Sequence, residues 1–124
     1  HSNWPKNLAN PYIVSASEKL LSKFSEFKKG ITATASGFYA PQGRELRIKP
    51  AIEDLHQKMN TFKFEGNRIT NFEMETSALY FLGKSLGHNT LTICAIIGNR
   101  ITQKQSKDYK KTVDKLIVDV LDKL

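Results

Sequence analysis

Between Ile69 and Leu86 the sequence changes period. Ile69 to Met74 alternates apolar and polar residues, as a strand with one buried face does, whereas Leu79, Leu82 and Leu86 recur at helical spacing. The chain therefore has to turn from strand to helix at or near Glu75, and a strand feeding directly into a helix is the unit from which α/β folds are built. Two carboxylates, Glu73 and Glu75, flank Met74 at that junction. In α/β proteins ligands gather beyond the carboxyl ends of strands, so acidic side chains there are placed to receive the hydroxyls of a small polar ligand. The same residues also fit a structural role, because an acidic group in the first turn of a helix favours the dipole and satisfies free amides.

The remaining periodicity surrounds this junction with the same two kinds of element. His1 to Val14, with Pro5, Pro11 and several asparagines, reads as an irregular lead-in. Ser15 and Glu18 have the form of a capping box ahead of Leu20, Leu21, Phe24 and Phe27, which predicts a helix from about Ala16 to Lys29 stopped by Gly30. Ile31 to Ser36 is β-branched and alternating, a strand. Leu46 to Ile48 suits a short extended piece. Ile52, Leu55 and Met59 mark a helix over about Pro50 to Met59, with His56 off its apolar face as a surface residue. Thr61 to Phe64 is a short strand, Glu65-Gly66-Asn67 a turn, and Gly87 a helix stop that leaves His88 near a helix C-terminus. Thr90 to Ile97 reads as a buried central strand. Ser106 to Leu124 is an amphipathic helix, with Tyr109, Val113, Leu116, Ile117, Val120, Leu121 and Leu124 on the face expected to pack on the sheet.

One loop has the makings of a planar-ring site. Gly37 to Arg44 leaves a strand, and its glycines and proline forbid regular structure. Phe38, Gln42 and Arg44 supply a face to stack on, a side chain that both donates and accepts, and a fixed cation. On composition alone, a surface turn with a solvated arginine is the better account. Gly98 to Gln103, delivered by the strand before it, reaches the same edge and carries Arg100.

Three stretches together resemble one family. Asn71-Phe72-Glu73-Met74-Glu75-Thr76-Ser77-Ala78 is similar to the ribose-binding signature of the nucleoside phosphorylases, a family that includes uridine and purine nucleoside phosphorylases. Phe38, Gln42 and Arg44 fall at the spacing of the base-binding residues of its uridine-specific branch, and Arg100 matches the arginine of a mobile flap. Purine-cleaving relatives lack the Gln and Arg pairing and place an aspartate in the flap loop. No acidic residue occurs between Thr90 and Lys107.

The resemblance implies an α/β fold, the C-terminal portion of a three-layer phosphorylase with a mixed sheet flanked by helices, here a single domain or half-domain over residues 1–124. It implies phosphorolysis of uridine to uracil and ribose 1-phosphate, with inorganic phosphate as co-substrate and no cofactor or metal. Arg44, Arg100 and Glu75 would be catalytic. Phe38 would pack on the nucleoside, Gln42 and Arg44 would bind the uracil, Ile96 and Ile97 would line the base pocket, and Arg100 would close over it. Glu75 would accept from the ribose hydroxyls, Met74 would line the sugar, and Glu73 belongs to the same motif. The phosphate-binding groups of the family lie in its N-terminal half, which this chain does not resemble. The expectation is a piece of a longer enzyme, inactive alone, with exposed sheet edges and a homo-oligomeric parent, a dimer or a hexamer built from dimers. The alternatives are a purine phosphorylase or nucleosidase of the same fold, and a non-catalytic nucleoside-binding module.

Composition excludes little else. The formal charge of +7, from 19 Lys plus Arg against 12 Asp plus Glu, is carried by scattered lysines rather than a basic stripe with interleaved aromatics, so nucleic acid is not the expected partner. No apolar run approaches bilayer length and the N-terminus shows no signal-peptide pattern, so no membrane is expected. A single cysteine, Cys94, excludes a disulfide framework and reads as a buried inert thiol in a reducing, cytoplasmic compartment. Three histidines and that cysteine, widely spaced, match no metal-ligand pattern. The chain opens on His1 rather than methionine, the start expected of a processed chain or of the interior of a longer one.

Overall fold

The computed structural model describes residues 6–124. The part of the lead-in that falls on residues 1–5 lies outside the described residues. In chain order the elements are α1 (Glu18–Lys23), β1 (Ile31–Thr34), a 3-10 turn (Ala40–Gln42), α2 (Leu55–Thr61), β2 (Lys63–Phe64), β3 (Asn67–Glu73), α3 (Thr76–Ser85) and α4 (Tyr109–Leu121). The architecture is α/β, a mixed three-stranded sheet of order β1-β3-β2 with helices beside it.

β3 is the central strand because it alone has partners on both sides. β1 pairs with it in parallel from Ile31 opposite Ile69 to Thr34 opposite Glu73, with a bulge after Ile31. β2 pairs with it antiparallel through a two-residue turn, Glu65-Gly66, whose φ angles of 47° and 77° are both positive. Positive φ at both positions matches the turn to the right-handed twist of the strands, and glycine adopts it without strain.

The strand-to-helix switch falls where the period changes. β3 ends at Glu73, Glu75 is the N-cap residue of α3, and the helix ends in a complete Schellman motif. There the Gly87 amide donates to the Lys84 carbonyl at 3.2 Å and the His88 amide to the Gly83 carbonyl at 2.8 Å, with Gly87 at φ 75°.

Several expectations need correction. α1 is shorter than Ala16 to Lys29 and no Ser15 capping box forms. Its N-cap is Ser17, whose hydroxyl donates to Asn89 Oδ1 at 2.7 Å instead of capping the helix. The helix stops at Phe24, which leaves helical geometry, turns inward, and is the only buried hydrophobic residue among those described. α2 starts late because Asp54 sits in the left-handed region at φ 53°. Leu46 to Ile48 forms no strand.

Thr90 to Ile97 is not a central strand either. A strand exists only where a neighbour offers its amides and carbonyls, and no described strand runs beside this segment. Single bonds hold it instead: the Ser17 amide donates to the Thr90 carbonyl at 2.9 Å, and the Thr92 amide donates to the Tyr80 hydroxyl at 2.9 Å. Cys94 is correspondingly exposed, not buried. Partial burial still pushes its thiol pKa up, helped by the Glu73 charge and opposed by Asn71.

α4 does not lie on the sheet. Its C-terminal end is tied to the end of α1 by a 2.6 Å ion pair between Lys123 and Glu26 and by Lys23 Nζ donating to the Leu124 carbonyl at 3.3 Å. Leu116, Ile117, Val120, Leu121 and Leu124 face Leu20, Phe24, Leu91 and Ile93 across an open apolar cavity of about 440 Å³. No helix among the described residues is long and apolar enough to cross a membrane.

The contact between α3 and the segment after it depends on a missing side chain. A Cβ at Gly83 would stand 2.3 Å from Thr90 Cγ2. Gly83→Ala is therefore expected to lower unfolding free energy by about 1–3 kcal/mol, the usual cost of overpacking. A Gly83→Ala/Thr90→Ala double variant should recover part of that loss in a urea-denaturation cycle, and additive losses would show that the two residues do not touch.

Candidate functional site

Two clusters form at the carboxyl ends of the parallel pair β1 and β3. The first is the junction after β3. Glu73 Oε2 accepts from the amides of Glu75 at 2.7 Å and Thr76 at 2.8 Å, and Glu73 Oε1 accepts from the Thr34 hydroxyl at 2.6 Å. The Thr34 Oγ1 in turn accepts from the Ser77 amide at 3.0 Å. Glu73 and Thr34 thus satisfy three of the free amides at the start of α3, one strand contributing each side chain. Burial alone would push the Glu73 carboxyl up. Hydrogen bonds from Thr34 and from the Glu75 and Thr76 amides outweigh it and hold the pKa below the usual carboxylate range.

Glu75 and Met74 differ from Glu73 in being on the surface. Glu75 is exposed and, among the described residues, accepts from the Met74 amide alone, at 3.2 Å through Oε2, and Met74 is 39% exposed. Of the two acidic residues in the signature, Glu73 is occupied by the backbone and Glu75 is presented outward.

The second cluster is built on Gln42, at the end of the 3-10 turn and only 3% exposed. Arg44 Nη1 donates to Gln42 Oε1 at 2.8 Å and also to the Phe38 carbonyl, and its guanidinium lies 3.6 Å from the centre of the Phe38 ring. That spacing is a cation–π stack. Arg100 grips the same residue twice, with Nη1 on the Gln42 carbonyl at 2.8 Å and Nη2 on Gln42 Oε1. Its guanidinium also lies 5.4 Å from the Phe72 ring of β3.

Arg100 reaches this point from a hairpin. Gly98 and Gln105 form an antiparallel bridge, the Asn99 amide donates to the Lys104 carbonyl at 2.8 Å, and the Ser106 amide donates to the Ile97 carbonyl at 2.7 Å. At the tip Asn99 Oδ1 accepts from the Ile101 and Thr102 amides at 3.0 and 2.9 Å, a side-chain turn that asparagine forms readily. Ile96 and Ile97, just before the hairpin, are about half exposed.

The electrostatics are one-sided. Among the described residues neither Arg44 nor Arg100 has a carboxylate within salt-bridge distance. Burial, and then the nearby Arg44 charge, lowers the Arg100 pKa from its usual value, though an arginine stays protonated throughout the physiological range. Both guanidiniums donate to neutral oxygens of Gln42, and Arg44 also to the Phe38 carbonyl, so their charge is not cancelled and positive potential is left beside the exposed Phe38 ring.

Phe38, Gln42, Arg44 and Arg100 are thus in one cluster, and Glu73, Met74 and Glu75 in another on the adjoining strand end. Sequence reasoning missed three contributors. His56 was expected on the surface, yet its Nε2 lies 2.8 Å from the Gln42 carbonyl, a partner fourteen positions away that no local pattern reveals. Phe72 stands in the strand and in the signature stretch, but neither reading gives it the contact with Arg100. Thr34 could have been found, because a hydroxyl at the end of a strand parallel to β3 stands beside Glu73.

An open α/β fold with polar groups converging beyond parallel strand ends is the class that holds small polar ligands. The chain belongs to the phosphorylase superfamily, whose family model matches residues 4–122. It is 34% identical over 89 residues to a uridine phosphorylase of Thermococcus kodakarensis, an alignment that covers 66% of this chain and 29% of that relative. The chain thus matches less than a third of the relative's length. No solved structure matches it.

The Glu73 cap generates a pH dependence of known sign. Its pKa is depressed in the folded state, so its contribution is present above the unfolded carboxylate value and is lost as pH falls through the folded one. Unfolding free energy should therefore drop on acidification below about pH 4. Glu73→Ala should cost about 1–2 kcal/mol at neutral pH, as loss of a helix cap does, and should flatten that drop in urea denaturation followed against pH.

Proposed function

We propose that this chain carries the base and ribose subsites of a uridine phosphorylase, and that phosphorolysis of uridine to uracil and ribose 1-phosphate is the reaction of the complete enzyme. The observation that carries the reading is the Gln42 cluster. A buried amide, two guanidiniums without carboxylate partners and an exposed phenylalanine stand together beyond one strand end. Membership of the phosphorylase superfamily and the uridine phosphorylase relative support it.

Bond breaking at the anomeric carbon leaves the sugar cationic, as in glycoside cleavage, and puts negative charge on the departing pyrimidine. Preorganised donors facing that charge lower the barrier because they strengthen as it develops. Arg44 and Arg100 supply such donors, and Gln42 supplies an amide that pairs with the edge of uracil. Phe38 packs on the nucleoside, with Ile96 and Ile97 beside the base. The outward carboxylate of Glu75 accepts from the ribose diol and Met74 lines the sugar, whereas Glu73 acts by shaping the turn that presents them. Arg100, on its hairpin, closes the site and excludes water.

Inorganic phosphate is the second substrate, and the groups that bind it belong to the part of the family that this chain does not resemble. Isolated, the chain then binds nucleoside without cleaving it. The open apolar cavity against α4 and the limited coverage of the relative support reading the chain as part of a larger protein; that this protein is a cytoplasmic homo-oligomer belongs to the same proposal. The absence of an acidic residue between Thr90 and Lys107 favours a pyrimidine over a purine.

Uridine and inosine titrated into the 124-residue protein should show uridine preferred, with Arg44→Ala or Glu75→Ala weakening uridine binding at least about tenfold, the effect of losing one charged hydrogen bond. No uracil should be released with or without phosphate. Phosphate-dependent release would overturn the missing-subsite part of the reading, and equal binding of uridine by both variants would overturn the site itself.

A further inference from the structure

His56 has no part in the function proposed above, yet it touches the residue on which that function turns. Its Nε2 lies 2.8 Å from the Gln42 backbone oxygen, which can only accept, so Nε2 carries the proton and donates. Arg100 Nη1 is a second donor to the same oxygen at 2.8 Å. The 3.5 Å between Arg100 Nη1 and His56 Nε2 is then the separation of two donors sharing one acceptor. The next residue, Gly43, has φ 71°, and a Cβ there would stand 2.8 Å from His56 Nε2. The imidazole ring fills the space that a side chain at position 43 would occupy.

The two grips on Gln42 come from different elements, each with one residue in the left-handed region, Asp54 at the start of α2 and Gln103 on the hairpin. Arg100 sits on the hairpin 98–105, whose tip is exposed and includes Gln103 at a strained φ of 54°. Both of its bonds to Gln42 would leave together if that hairpin moved to admit a ligand. His56 sits on α2, which packs against the central strand β3 and is pinned to it by Arg68 Nη2 donating to the Asn60 carbonyl at 3.2 Å. Its hold does not depend on the hairpin.

We propose that His56 is a positioning residue for base recognition: it holds the Gln42 carbonyl and seats Gly43 against its ring, so that the Gln42 amide stays aimed at the base while Arg100 is withdrawn. This rests on the uridine reading for its consequence, not for its geometry. Arg100 acts as the movable clamp on Gln42 and His56 as the fixed one. Glutamine at position 56 can place an amide donor near the same point, whereas alanine cannot.

The test uses the 124-residue protein and its His56→Ala and His56→Gln variants, read by uracil titration, thermal melting and the NMR resonances of the Gln42 side-chain amide. His56→Ala is expected to shift the Gln42 amide resonances and weaken uracil binding by about tenfold, with His56→Gln restoring most of both. A His56→Ala protein that melts like the parent, keeps the Gln42 resonances and binds uracil equally overturns the proposal. So does failure of His56→Gln to restore either signal while melting like the parent. If His56→Ala does not fold, His56→Gln and the tautomer of the parent ring decide: an unprotonated Nε2 overturns the proposal. A parent that binds no uracil, but whose Gln42 resonances depend on residue 56, overturns the uridine reading and upholds the positioning.

Discussion

The parallel pairing of β1 with β3, closed at its carboxyl end by Glu73, is the interaction on which the other parts of the site depend. Parallel strands carry their following loops to the same edge, so this pairing is what places the loop after Thr34 beside the turn after Glu73. The Ala35 amide extends the ladder to the Glu73 carbonyl at 2.9 Å, and the Glu73 side chain then bonds to Thr34 and to the first amides of α3. One carboxylate thereby joins two strands and a helix, and its lowered pKa is the electrostatic trace of that work. The outward position of Glu75 follows, because the turn is already set by its neighbour.

Around Gln42 the ordering principle is different. Here a neutral amide oxygen and a neutral carbonyl receive donors from two guanidiniums and an imidazole, with no carboxylate to balance them. Such an arrangement is poorly compensated for stability, since two half-buried cations stand near one another and the Arg44 charge disfavours that of Arg100. It suits a place where negative charge arrives. A structural arginine pair would normally find an acidic partner, and this chain has twelve acidic residues available elsewhere.

The helical side of the molecule is much less closed. Phe24 is the only buried hydrophobic residue among those described, while Ile117 and Leu121 on α4 and Leu124 just after it are more than half exposed. The apolar stripe of α4 faces α1 and the Leu91 to Ile93 segment across open space instead of interdigitating with them. Surface of this kind gains little until something covers it, because hydrophobic stabilisation scales with the area taken out of water. The segment from Thr90 to Ile97 shows the same shortage in hydrogen-bonding terms, being rich in β-branched residues but having no strand among the described residues to pair with.

Much of this was legible in the residues themselves. The change of period at Glu75, the glycine stop at position 87 and a turn at Glu65-Gly66-Asn67 are local, and local preferences were enough to place β3, α3 and the hairpin before them, although Thr61 belongs to α2 and Asn67 already opens β3. The family signature and the Phe38, Gln42, Arg44 spacing are likewise properties of short stretches. What the residues alone could not decide was pairing. Whether Thr90 to Ile97 becomes a strand, whether α4 lies on the sheet, and whether His56 has a partner each depend on groups far away in the chain, and only the tertiary structure brings those groups together or leaves them apart. Period and propensity describe how one segment prefers to fold, whereas a ladder, a packed face or a shared carbonyl needs a second segment to be present at the right distance.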